Sequence, residues 1–162
     1  MTDDEFRALY ERYRDPLFRF AWRLTGSPQV SEDIVHDCFV SLFKGRFDGS
    51  RASLQTYLYA AVRNLTRKHY RDSGRAFEPP APEIPDALDQ VVSDEISEQV
   101  RRAVDGLPML QREVLLLFEY EDVPLEEIAA IVDADPGAVK SRLYRAREGL
   151  RKSLMSAKGV TK

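Results

Sequence analysis

Apolar positions along the chain recur at three- and four-residue spacing and do not alternate over a strand's length, so the pattern predicts helices throughout. A first helix is expected from about Asp3 to Gly26, perturbed at Asp15-Pro16, where proline removes a backbone donor. A second spans about Pro28 to Lys44, with Ser27 as its cap and proline at the first helical position. Its inner side is Ile34, Val35, Cys38, Phe39 and Leu42. A third covers about Ala52 to Arg71, where Leu54, Leu58, Ala61, Val62 and Leu65 form an apolar stripe. These helices predict a small bundle.

The periodicity then stops. The stretch "SGRAFEPPAPEIPDALDQ" (73–90) is acidic and holds Pro79, Pro80, Pro82 and Pro85, so it reads as an extended, exposed linker. Beyond it helices are expected at about 94–105, 108–120, 125–132 and 136–154, broken at Gly106 and Pro108, at "EDVP" and at "DADP". In the last helix Val139, Leu143, Ala146, Leu150 and Leu154 fall within a narrow arc, which is the buried side. The predicted architecture is all-α with two small helical domains. An N-terminal helical bundle covers 1–72, an acidic proline-rich linker 73–93, a four-helix domain with a helix-turn-helix 94–155, and a tail 156–162. Each domain is small for a self-standing core.

Composition narrows the class. With 43% apolar and 31% charged residues, the 162-residue chain has material for a core and a charged helical surface. No basic start followed by an apolar segment, and no apolar run of membrane-spanning length, is present, so neither secretion nor membrane insertion is expected. Cys38, the only cysteine, cannot form an internal disulfide, which fits a cytoplasmic location. The net charge of −3 hides an asymmetry, because residues 138–162 carry eight Lys/Arg against one acid. A polyanion meets that local field rather than the global balance.

The basic surface of the last helix comprises Lys140, Ser141, Arg142, Tyr144, Arg145 and Arg147, outside its apolar arc. A short amphipathic helix (Leu125, Ile128, Ala129, Val132), the turn "DAD" and this longer helix are the parts of a helix-turn-helix, whose second helix reads the major groove. A solvated hairpin fits the same pattern equally well. On the third helix, opposite the stripe, lie Tyr59, Arg63, Thr66 and Tyr70, with Asn64 and Arg67 beside them. Interleaved aromatics and arginines suit stacking on unpaired bases; edge tyrosines with snorkelling arginines are the plainer alternative. Asp33 and Asp37, four apart, repel slightly and serve either a basic partner or solubility. His36 and Cys38, two apart on a helix, diverge too far for a nucleophile–base pair. With no metal-ligand spacing and no glycine-rich phosphate loop, the reading assigns no catalytic residue, no metal site and no cofactor, and an enzyme is not expected.

Three segments resemble the extracytoplasmic-function sigma factors of the sigma-70 family. "SEDIVHDCFVSLF" resembles region 2.2, "SLQTYLYAAVRNLTRKHYR" regions 2.3 and 2.4, and "LPMLQREVLLLFEYEDVPLEEIAAIVDADPGAVKSRLYRAREGLRKSL" region 4. The resemblance implies a transcription-initiation subunit that directs core RNA polymerase to promoter DNA and aids melting. It implies that Glu32, Asp33 and Asp37 contact the polymerase β′ clamp helices. Tyr57, Tyr59, Arg63, Asn64 and Arg67 then fall where −10 reading and melting cluster, with a flipped base captured near the loop 45–53. The six residues of the last helix face the −35 duplex, and an anti-sigma factor is an implied partner. A stand-alone helix-turn-helix regulator and a sigma mimic that titrates an anti-sigma factor are the alternatives. Where family members commonly carry a basic residue, this chain has Gln55 and Ala60; Asp133 stands where glycine is frequent, and Pro124 where a Ser/Thr cap is usual.

Overall fold

The computed structural model describes residues 2–74 and 95–159, and among these there are helices and no strand. The N-terminal module is α1 (Asp3–Thr25), α2 (Pro28–Phe43) and α3 (Leu54–Asp72). Each starts where a side chain satisfies the free amides of the first turn. Thr2 and Glu5 form a reciprocal capping box on α1. Ser27 accepts from the Val30 amide at 3.2 Å and Ser53 from the Thr56 amide at 3.1 Å. Ser53 therefore sets the start of α3 at Leu54, two residues later than expected. The expected perturbation at Pro16 does not end α1, which runs on to Thr25. Leu17, Phe20, Ala21 and Leu24, all within two turns of the proline, are buried and hold the helix in place. Gly26 closes it at φ 71°, a left-handed conformation that costs glycine little.

The C-terminal module is α4 (Glu95–Asp105), α5 (Met109–Leu115), a π-helical turn over Leu116–Tyr120, α6 (Leu125–Ile131) and α7 (Pro136–Gly159). The expected 108–120 helix thus changes winding at Leu116. The step between α6 and α7 turns on Asp133 at φ 52°, so the aspartate adopts the conformation that glycine takes more readily. Helix α7 continues to Gly159 rather than ending at 154, which makes the first residues of the expected tail helical. Residues 75–94, nearly all of the expected linker, and residues 160–162 lie outside the described residues.

Leu17, Phe20, Leu24, Leu58 and Val62 form the centre of the first module; Leu115, Leu117, Ile128, Ile131, Val139 and Ala146 form that of the second. The two modules pack against one another, chiefly α3 on α6, with α1 touching α5.

Candidate nucleic-acid interface

On α7 the apolar arc turns inward as the spacing requires: Val139, Leu143 and Ala146 are buried. Lys140, Ser141, Tyr144, Arg145 and Arg147 stand in solvent, with Tyr144 66% exposed. Arg147 donates to Glu119 Oε1 at 2.6 Å and lies over the Phe118 ring, an exposed pair of small energetic weight. Arg142 differs from its neighbours. It is half-buried, and its Nη1 is shielded without a hydrogen-bond partner among the described residues. Its charge reaches the carboxylate of Glu113 on α5.

The sequence-predicted set on α3 divides. Tyr57, Asn64 and Arg67 are half-buried or exposed. The Tyr57 hydroxyl is 2.5 Å from Ser41 Oγ, and its ring packs on Phe47, from the loop between α2 and α3, with centroids 5.2 Å apart. Beside it a recess of about 340 Å³ opens between α2 and α3, lined by Asp37, Lys44, Arg46 and Asn64. Tyr59 and Arg63, by contrast, are only 3% exposed. Tyr59, Arg63, Thr66 and Tyr70, expected opposite the apolar stripe of α3, are all buried in this structure, as the alternative of packed edge tyrosines has it for the two aromatics. Tyr70 donates to the Thr25 carbonyl, Thr66 to the Val62 carbonyl. Tyr59 and Arg63 meet the C-terminal module.

That meeting is made by carboxylates. Arg63 grips Glu113 with two hydrogen bonds, Nε to Oε1 at 2.8 Å and Nη2 to Oε2 at 3.2 Å. The Tyr59 hydroxyl donates to Glu121 Oε1 at 2.8 Å, with Arg19 of α1 3.7 Å from the same oxygen. Gln55 Nε2 donates to Glu127 Oε2 at 2.9 Å, and Ser53 Oγ to Oε1 at 3.3 Å. The Arg23 guanidinium covers the Tyr120 ring. Burial pushes the Glu113 and Glu121 carboxyls above the usual range; Arg63 pulls the first back, and Tyr59 with Arg19 the second. Sequence reasoning missed all three glutamates. The signal was present for Glu113, an acid set in the apolar run "MLQREVLLLF", where burial demands a cationic partner.

On α2 the acids Glu32, Asp33 and Asp37 are exposed. A groove of about 710 Å³ between α1 and α2 runs beside them, lined by Tyr10, Arg14, Phe18, Glu32, Asp33 and His36. Phe43, 68% exposed, ends this side of the module, edge-on to Phe6. Among the described residues no cluster of His, Cys, Asp and Glu can hold a metal ion, and no helix is long and apolar enough to cross a membrane. Burial pushes the Cys38 thiol up to about 12, far from a reactive thiolate.

Comparison with known proteins agrees with this arrangement of modules. The family described as Sigma-70 region 2 matches residues 9–76, and Sigma-70, region 4 matches residues 97–150. The chain is 30% identical to the ECF RNA polymerase sigma factor SigW of Bacillus subtilis, over 93% of this chain and 89% of the relative. It is 33% identical to the RNA polymerase sigma-E factor of Streptomyces avermitilis, over 94% of this chain and 86% of the relative. Among solved structures, the sigma factor RpoE of Bartonella quintana, crystallised with the anti-sigma factor NepR, superposes with a TM-score of 0.74. It shares 26% identity, covering 93% of this chain and 97% of that one.

Proposed function

The chain belongs to the sigma-70 family as an extracytoplasmic-function RNA polymerase sigma factor, and we propose how its surfaces divide the work of promoter recognition. Glu32, Asp33 and Asp37 dock the β′ clamp helices of core polymerase, which have to present basic side chains to three exposed carboxylates. Lys140, Ser141, Arg142, Tyr144, Arg145 and Arg147 lie along the −35 duplex, α7 entering the major groove. Tyr57, Tyr59, Arg63, Asn64 and Arg67 hold the melted −10 strand by stacking and by charge-assisted hydrogen bonds. The boundaries are those of the sequence: polymerase and −10 contacts within 1–72, −35 contacts within 94–155.

No bond is made or broken by this chain; it lends the polymerase an address and spends binding energy on opened DNA. It works in the cytoplasm, where polymerase and promoter are. An anti-sigma factor is its second protein partner, a proposal supported by the relative solved with NepR.

The observation that carries the reading is the pairing of a module bearing an exposed acidic α2 with a module whose recognition helix is basic on its outer face. A stand-alone helix-turn-helix regulator has no use for the first module. The test is reconstitution with bacterial core RNA polymerase and run-off transcription on a genomic fragment library. The wild-type chain yields discrete transcripts, and Asp37→Arg abolishes both polymerase association and transcription while leaving the thermal melt unchanged. Equal transcription by the variant removes the α2 docking assignment.

A further inference from the structure

The exposed arginines of α7 differ in how they are held. Arg145 pairs with no carboxylate among the described residues. Arg151 donates to Glu148, one turn back on its own helix. Arg147 alone of the three is held from outside the helix. Its Nη2 donates to Glu119 Oε1 at 2.6 Å, and its guanidinium lies 5.4 Å from the centre of the Phe118 ring. Acid and ring are neighbours on the π-helical turn, closed by the Glu121 amide on the Leu116 carbonyl at 3.0 Å. Leu116 and Leu117 are buried at its base, so the turn is anchored in the core of the module. Such winding is rare and recurs at functional sites.

The place of Arg147 on α7 gives the grip a use. It stands seven residues past Lys140, so both share one side of the helix, about 10 Å apart along the axis. With the start of α7 in the major groove, Arg147 comes to the groove's edge, where the phosphates run. Phosphates sit at the same places whatever the base sequence, so a contact to one gains from a side chain fixed beforehand. A guanidinium carries five N–H donors. Glu119 takes one, and with the side chain 52% exposed the others stay open to a ligand.

We propose that Glu119 and Phe118 are positioning residues for promoter DNA, holding the Arg147 guanidinium where it grips one phosphate at the edge of the −35 duplex. The inference rests on the −35 assignment of α7 given above and adds what aims one of its side chains. It opposes the plain electrostatic expectation. A carboxylate within a Debye length of a phosphate repels it, so on charge alone the loss of Glu119 strengthens binding. Positioning requires the reverse, because an unheld arginine gives up its rotamer freedom on binding. An exposed pair of this kind adds little to stability, so its worth shows in DNA binding and not in a melt.

The test uses the full-length chain and a fluorescent pool of random-sequence DNA duplexes, since a phosphate contact carries no sequence information. Arg147→Ala lowers the salt slope by about one, so that roughly threefold less affinity is lost between about 50 and 200 mM salt. Glu119→Ala weakens low-salt binding and moves the slope toward that of Arg147→Ala, with an unchanged thermal melt. Glu119→Gln keeps an acceptor for Nη2 without the charge and binds at least as well as the wild type. Phe118→Leu, which removes the ring but keeps apolar bulk, weakens binding in the same sense. In the Arg147→Ala background, Glu119→Ala weakens binding no further. Tighter binding by Glu119→Ala overturns the positioning role, and so does an equal loss in the Arg147→Ala background. Unchanged binding by Glu119→Ala beside a weakened Arg147→Ala overturns it and leaves the −35 reading standing. Unchanged affinity and slope in Lys140→Ala, Arg145→Ala and Arg147→Ala alike remove the −35 reading itself.

Discussion

Two helices of this protein carry arginine and tyrosine on the side away from the apolar stripe, and they meet opposite fates. On α7, Tyr144 and Arg145 project into solvent. On α3, Tyr59 and Arg63 are sealed against another module. Periodicity is blind to the difference, because both helices have one apolar arc and one mixed arc. What separates them is the opposing surface. The exposed arginines of α7 meet carboxylates at its edge, Glu119 and Glu148, whereas the donor line of α3 faces three from the other module. A mixed arc is a question put to the rest of the chain, and complementary charge elsewhere answers it.

The sharpest way to break this comparison is to make the same substitution on both helices. Tyr59 packs edge-on against Phe20 with centroids 5.5 Å apart, besides its bond to Glu121. Tyr59→Ala is expected to cost about 3–5 kcal/mol, in line with loss of a buried aromatic. Tyr144→Ala, at 66% exposure, stays within about 0.5 kcal/mol. Urea denaturation of both variants checks the contrast; equal costs mean that the two helices are equally open in solution.

Duplex binding inverts the ranking. Arg145→Ala leaves stability unchanged and weakens −35 duplex binding by about 1–3 kcal/mol if it meets a guanine edge, or by less with a salt slope reduced by about one if it meets a phosphate. Arg63→Ala leaves the binding of intact −35 duplex unaltered. Fluorescence anisotropy across a salt series separates these outcomes, and a duplex defect from Arg63→Ala counts against the division of labour between α3 and α7.

The covered side should also carry a pH dependence that the open side lacks. Burial raises the Glu113 carboxyl above its unfolded value of about 4.3. Between those two values the closed structure holds a proton that the unfolded chain has released. The stabilisation is therefore full below the unfolded value and is lost as pH rises through the folded one, by at most about 1.4 kcal/mol per pH unit. Glu113→Gln removes this slope. Denaturation of wild type and variant across the mildly acidic range gives the difference, and parallel curves show that Glu113 is not buried as described.

What could be read from the sequence follows from the range of the forces concerned. Helix starts at Pro28 and Pro136, the inner side of α2 and the buried arc of α7 rest on contacts within four residues, and the sequence states those directly. The run of α1 through Pro16 was legible too, and burial of Leu17, Phe20 and Leu24 offsets the one lost hydrogen bond. The π-helical turn after Leu115 was not, since no short motif marks it. At the site, the exposure of Glu32, Asp33 and Asp37 was legible, since all three lie off the inner side of α2. The pairing of Arg63 with Glu113 was not, because fifty residues separate them and only the folded chain brings them together.

The smallest expected effect probes the edge of the covered side. Gln55 is half-buried and holds Glu127 through a neutral donor at 2.9 Å. Gln55→Lys puts a cation at that place, and a partly exposed ion pair adds about 0.2–1 kcal/mol to the contact between modules. The same cation is also one more donor for a DNA strand. The two effects oppose each other: the contact with Glu127 tightens while α3 gains a donor, so single-strand binding by the free chain changes little. Binding rises clearly only when Gln55→Lys is combined with Glu127→Lys, which removes the acid it would pair with. A strong gain from Gln55→Lys alone would mean that Glu127 does not hold that position in solution, and the two helices would then differ less than this structure has them.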